Sequence, residues 1–196
     1  MHTRRLVCLL LGVWLGSAVF MFFVATQNFR SVDRLLAKQT PNEFAASVKT
    51  LGTQNARALL RYHSSELNRF YFDTWEKAQL GLGVLLFGML LFATRVGRIP
   101  LTVALLMTGI VALMHWVLTP RIVEFGKMLD FVPADSYSPY RRRFWILHGA
   151  YSALEVLKLL LGLALSGWFL WARRRRGGAG HEVNPVDYAN DSHVDG

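Results

Sequence analysis

Apolar positions run almost unbroken over residues 6–26, 81–94 with its flanks, 99–118 and 146–171. Each run approaches or exceeds the length that crosses a bilayer, whose hydrocarbon core of about 30 Å takes roughly 20 helical residues at about 1.5 Å each. A soluble domain of 196 residues has no room to bury four such runs. The pattern predicts an all-α chain, a four-transmembrane-helix bundle with spans at about 6–27, 75–95, 99–118 and 144–171. A secretory signal is the competing reading of the first run. Its 19 apolar residues before Ala25 exceed the usual h-region of about 7–15, and no A-x-A site closes it, so it reads as a retained span.

The segments between the runs carry their own pattern. Thr40-Pro41-Asn42-Glu43 has the form of a helix start, with Thr40 as the cap, Pro41 where no N–H is needed and Glu43 turned back to the cap. Phe44, Val48, Leu51, Leu59, Leu60, Leu67 and Phe70 then recur among Lys49, Arg57, Arg61 and Arg69. That spacing predicts an amphipathic helix over about 41–72 that either lies on the membrane surface or packs against the bundle, and the aromatic group Phe70-Tyr71-Phe72 leading to Trp75 favours the interface. Arg95-Val96-Gly97-Arg98 and Pro100 form a tight connection, so spans two and three are predicted to be an antiparallel hairpin. Thr119-Pro120 and Ser138-Pro139 repeat the cap-then-proline device. They predict a short helix from about 120 to 131, a break over 132–137, and a long helix from about 139 to 171. The membrane domain is thus expected to occupy 1–172. Residues 173–196 would form a basic stop and then a disordered acidic tail bearing Glu182, Asp187, Asp191 and Asp195.

Composition narrows the picture. The chain is 53% hydrophobic and 18% charged, which suits one membrane domain and leaves no room for a second. Its net charge of +9 comes largely from Arg4-Arg5, Arg141-Arg142-Arg143 and Arg173 to Arg176 beside the apolar runs, where anionic lipid headgroups meet them. A nucleic-acid footprint would gather on one soluble face instead, so nucleic acid is not an expected partner. The single cysteine, Cys8, lies inside the first run and excludes an intramolecular disulfide or a CxxC metal site. Four spans put both termini on one side. Trp75, Trp116 and Trp145 then share the opposite interface and Trp171 marks the terminal one. The dense arginine clusters at the terminal side predict cytoplasmic termini.

Candidate chemistry concentrates in the fourth span. His148, Ser152, Glu155 and Lys158 follow at spacings of four, three and three, which predicts a polar stripe on one face turned into the bundle. An ionised group in hydrocarbon costs several kcal/mol unless paired or hydrated, so such a stripe is a functional suspect. A structural reading stands beside it. The span has 26 residues, about 39 Å of helix, so the bilayer can slide towards Trp171 and leave His148 and Ser152 at the interface while Lys158 neutralises Glu155. His115 and His148 both lie towards the loop side, which leaves a haem or quinone site open as a weaker alternative. Gly12-xxx-Gly16 in span one is the spacing that lets a neighbouring helix approach closely, in this chain or in a partner or second copy. No hydrolytic triad, phosphate loop or metal-ligand spacing occurs, and neither an enzyme nor a cofactor is expected.

Trp14-Leu15-Gly16, Glu66-Leu67-Asn68-Arg69-x-x-Phe72-x-x-Trp75-x-x-x-Gln79, Leu118-Thr119-Pro120-Arg121-Ile122 and Leu147-His148-Gly149-x-x-Ser152 resemble the pattern of a bacterial membrane family. The family is called domain of unknown function 4149 and is related to the transmembrane protein 205 group. The resemblance runs to about Trp171 and implies a four-span protein of the bacterial inner membrane with no established activity. It also implies a neutral residue where this chain has Glu155. The expected function is therefore a structural or interaction bundle. The rival is a small transporter or proton-coupled subunit that uses Glu155, Lys158 and His148.

Overall fold

A computed structural model describes residues 2–38, 43–92, 97–133 and 136–178, with side chains described between 5 and 171. The Thr40-Pro41 cap, Arg95-Val96 and the acidic tail lie outside the described residues, as do the side chains of Arg4 and Arg173 to Arg176. Helices α1 (His2–Ala37), α2 (Glu43–Leu51), α3 (Thr53–Phe92), α4 (Arg98–Leu113), α5 (Thr119–Leu129) and α6 (Pro139–Gly178) account for nearly all of it, and among the described residues there is no strand. Four helical stretches are long and apolar enough to cross a membrane: Arg5–Ala37, Thr53–Phe92, Arg98–Leu129 and Pro139–Trp171.

Two expected boundaries move. The amphipathic segment is not one separate helix over 41–72. Gly52, at φ 80°, ends α2 in a left-handed conformation that glycine adopts without strain, and from Thr53 a single helix of 40 residues runs on through the apolar stretch. Its inward residues Ala56, Ser64 and Asn68 face α1, whose own extension to Ala37 gives them a partner. Asn28 donates to Asn68 at 2.6 Å, Asn68 donates to the carbonyl of Ala25 at 3.2 Å, and Ser64 donates to the carbonyl of Asn28 at 3.1 Å. The larger apolar residues of this stretch, Leu59 and Phe70, stay exposed.

The second change is at Thr119-Pro120, which does not start a new helix. α4 passes through a five-residue π segment, Met114–Leu118, straight into α5. Thr119 is itself helical (φ −59°, ψ −44°), and its N–H reaches back five residues to the carbonyl of Met114. Proline inside a helix lacks a donor and clashes with the carbonyl four residues earlier, and the wide π turn just before Pro120 absorbs both faults. α6, by contrast, begins at Pro139.

The long helices touch in sequence, α1 on α3, α3 on α4, α4 on α6, and α6 back on α1. Val7, Leu11, Trp14, Leu86, Leu90, Ala104, Met107, Val111, Leu165 and Phe169 form one apolar core between them. Close approach depends on two glycines. A Cβ on Gly83 would collide with the Thr108 side chain, and one on Gly162 would stand 2.6 Å from Leu15 and 3.2 Å from Met107. Gly12 and Gly16 are exposed and would meet nothing within 4 Å, so the expected small-residue motif of α1 points away from the other helices. Outward faces carry large apolar side chains such as Phe22, Phe23, Phe92 and Leu163.

At the far end of α5 a turn carries Phe131 at φ 63°, a conformation a bulky residue adopts only at some cost. It is held from both sides. Phe131 stacks on Tyr62 with ring centroids 5.1 Å apart, and the preceding Asp130 accepts from Arg69 Nη2 at 3.1 and 2.9 Å, while Arg69 also pairs with Glu66.

Candidate functional site

Along α3 the buried positions Asn68, Glu76, Gln79, Gly83, Leu86 and Leu90 keep one face turned inward. Two of them are polar and sit beside the apolar core: Glu76 and Gln79 are each 0% exposed. The Glu76 carboxylate is gripped at both oxygens. His115 Nδ1 lies 3.0 Å from Oε2, and the Thr119 hydroxyl donates to Oε1 at 2.5 Å. His115 and Thr119, four apart across the π segment, lie on the face that meets α3.

One turn further along α3, Gln79 Oε1 accepts from two donors. Trp14 Nε1 on α1 donates at 2.9 Å, and Lys158 Nζ on α6 is the second. An indole N–H and an ammonium can only donate, so the amide orientation is fixed by its neighbours. Lys158, 1% exposed, also donates to Glu155 Oε1 at 2.8 Å. Between the two pairs stands Tyr151, edge-on to Phe72 and close enough to feel the charges of Glu76 and Glu155. Its hydroxyl is buried facing Glu76, and Gln79 Nε2 is buried without a hydrogen-bond partner.

The cluster therefore holds two acids and two bases, with Thr119, Tyr151, Gln79 and Trp14 as uncharged members, drawn from α1, α3, the π segment, α5 and α6. With His115 protonated its formal charge is zero. Proton exchange between His115 and Glu76, or between Lys158 and Glu155, crosses a single hydrogen bond in each case.

The predicted stripe splits. Glu155 and Lys158 join the cluster, but His148 and Ser152 do not. Both are exposed: His148 stacks on Phe144 and meets Trp145 edge-on, and Ser152 donates to the carbonyl of His148 at 2.9 Å. At about 100° per residue, positions 148, 152 and 155 fall within about 60° of one another while 158 lies a further 60° round. Spacings of four and three keep neighbours adjacent without keeping a whole stripe on one face. The same rotation leaves His115 inside and His148 outside, so the two imidazoles are not brought together. Among the described residues no three His, Cys, Asp or Glu side chains gather to hold a metal.

Glu76 and Gln79 are the members that pattern reading passed over. They sit among Asp73, Trp75 and Lys77, which read as the charged rim of a span, and Asp73 and Lys77 do form an exposed pair at 2.6 Å. The signal that separates them is the alternation of three and four through 76, 79, 83, 86 and 90, which puts both polar residues in register with glycine and leucines of the core.

Against protein-family models, curated proteins and solved structures the chain shows no significant match.

Proposed function

We propose that the chain is an integral membrane protein of four transmembrane helices packed as a bundle, and that its working part is a proton-exchanging site, as in a small transporter or a proton-coupled membrane subunit. The observation that carries this reading is the fully buried Glu76 carboxylate on His115, one turn from a fully buried Lys158 that is itself paired with a second acid. Ionisable groups set inside apolar helices are costly and are retained for ion and proton pathways more often than for packing.

Depth follows from counting. About 20 residues inward from Arg5, Arg98 and Trp171, and from Phe92 on α3, place the second boundary near residues 25, 118, 152 and 73. Glu76, His115 and Glu155 then lie about three residues, or roughly 5 Å, inside it, and Gln79 and Lys158 roughly 9 Å inside. The remaining 20 Å or so is lined by Val7, Leu11, Leu86, Leu90, Ala104, Met107, Leu165 and Phe169. Thr108 and Ser166 are spent on their own helix carbonyls, at 2.9 and 2.8 Å. The site is thus sealed towards the chain termini and near the surface on the loop side, which suits a gated or coupled site and not an open channel. Membership of the family called domain of unknown function 4149 belongs to the same proposal, together with a bacterial inner membrane and cytoplasmic termini.

A structural or interaction bundle is the second reading, favoured by the pairing of every charge in the cluster. Infrared titration of the protein in lipid vesicles separates the two. A proton-exchanging site gives a carboxyl band that changes with pH while the protein stays folded and that is absent from Glu76→Gln or Glu155→Gln. A structural cluster gives no such band while the protein stays folded.

A further inference from the structure

Burial deepens step by step along one side of α6. His148 and Ser152 are exposed, the Glu155 side chain is 21% exposed, and Lys158 is 1% exposed. These four span about 15 Å of helix and turn from the outer surface into the polar core. Glu155 sits on the shoulder between the two faces. Its side chain is the most exposed of the four charged members, at 21% against 16% for His115, 2% for Lys158 and 0% for Glu76. Around it the outward positions are apolar: Val156 is 56% exposed, Leu160 58% and Leu163 59%. On the depths counted above His148 and Ser152 stand at the water end of this side, and Glu155, about three residues inside the boundary, has no reason to keep a surface towards hydrocarbon unless water follows it.

We infer that this side of α6 is a water-lined access route from the loop side, along which protons pass by His148 and Ser152 to Glu155, the port of the buried cluster, and from Glu155 to Lys158. The inference rests on the membrane reading above and adds the side and the helix face from which the site is fed. Tyr151, facing Glu76, and Gln79, whose Nε2 is buried without a partner, lie on the inner side of the port, between the Lys158 and Glu76 pairs.

Cysteine labelling tests it in vesicles holding the full chain, because a thiol reacts with a charged, membrane-impermeant maleimide only where water lets the thiolate form. In a Cys8→Ala background, Ser152→Cys and Glu155→Cys should label at least tenfold faster than Val156→Cys and Leu163→Cys. The comparison is controlled for depth and for face. Val156 is adjacent to Glu155 in depth but about 100° round the helix, and Leu163 lies within about 20° of Ser152 but roughly 16 Å deeper. Each variant should react fully after denaturation in detergent, so that slow labelling means shielding. Equal labelling of Val156→Cys and Glu155→Cys, or shielding of both Ser152→Cys and Glu155→Cys, overturns the route and leaves the membrane site standing. Fast labelling of Leu163→Cys takes the helix out of hydrocarbon and removes the route and the membrane reading together.

Discussion

The Glu155–Lys158 pair is lopsided, and the asymmetry is measurable. Removing one partner of a buried ion pair is costly because it strands the other charge, by about 3–5 kcal/mol where burial is complete. Glu155→Leu strands an ammonium that is 1% exposed, with only Gln79 left to receive it. Lys158→Met strands a carboxylate that is 21% open, and leaves Gln79 Oε1 still holding Trp14. Thermal or denaturant unfolding in detergent should therefore find Glu155→Leu the worse of the two by about 1–2 kcal/mol. The double variant should recover most of the loss, since an apolar pair strands nothing. Equal losses with no recovery would mean that the two side chains matter for packing alone. Lys158 and Glu155 were legible in the sequence because a charge amid leucines stands out whichever way it points. Glu76 and Gln79 were not, because at the rim of a span a polar residue is ordinary, and only the partner helices decide which rim residues turn inward.

At the scale of helices, contact is set by two glycines that no simple motif marks. Gly12 and Gly16 have the spacing of a packing motif and face outward, while Gly83 and Gly162 stand alone and carry the close contacts. A four-residue interval shows that two small residues share a face. It does not show which face has a neighbour, and that depends on the rest of the helix, here Val7, Leu11 and Trp14. Gly83→Ala should push α3 from α4 and cost about 1–3 kcal/mol by overpacking. Thr108→Ala, which removes the two nearest atoms, should return part of it. Gly16→Ala meets open space and gains helix propensity, so its unfolding midpoint should hold or rise slightly. Helix ends followed the same logic. Pro139 starts α6 as its position after a serine suggested, whereas Pro120 is carried inside a helix because the π turn frees the carbonyl it would hit and Thr119 spends its hydroxyl on Glu76 instead of on a cap.

Over the whole molecule the four apolar runs were the plainest feature of the sequence, because length and hydropathy survive any choice of rotation or partner. The extent of the helices beyond them was hidden. α1, α3 and α6 continue well past the apolar runs, and over 53–72 α3 pairs with α1 through Asn28, Asn68 and Ser64. The placement of the bilayer on this frame makes a last prediction. Leu163 and Ser152 are both exposed on α6, about 20° apart in rotation, and on the proposed placement Leu163, about ten residues from Arg173, is near the bilayer centre whereas Ser152 is at its edge. Arginine at the centre of a spanning helix costs about 2.5–3.5 kcal/mol in insertion, and at the edge its long stem lets the charge reach headgroups. Leu163→Arg should therefore lower the membrane-inserted fraction of freshly made protein several-fold, and Ser152→Arg should leave it nearly unchanged. In water an arginine is welcome at either surface position. Equal yields of the two variants would mean that α6 meets water along its whole outward face, and the depth assigned to Glu76, His115, Glu155 and Lys158 would go with it.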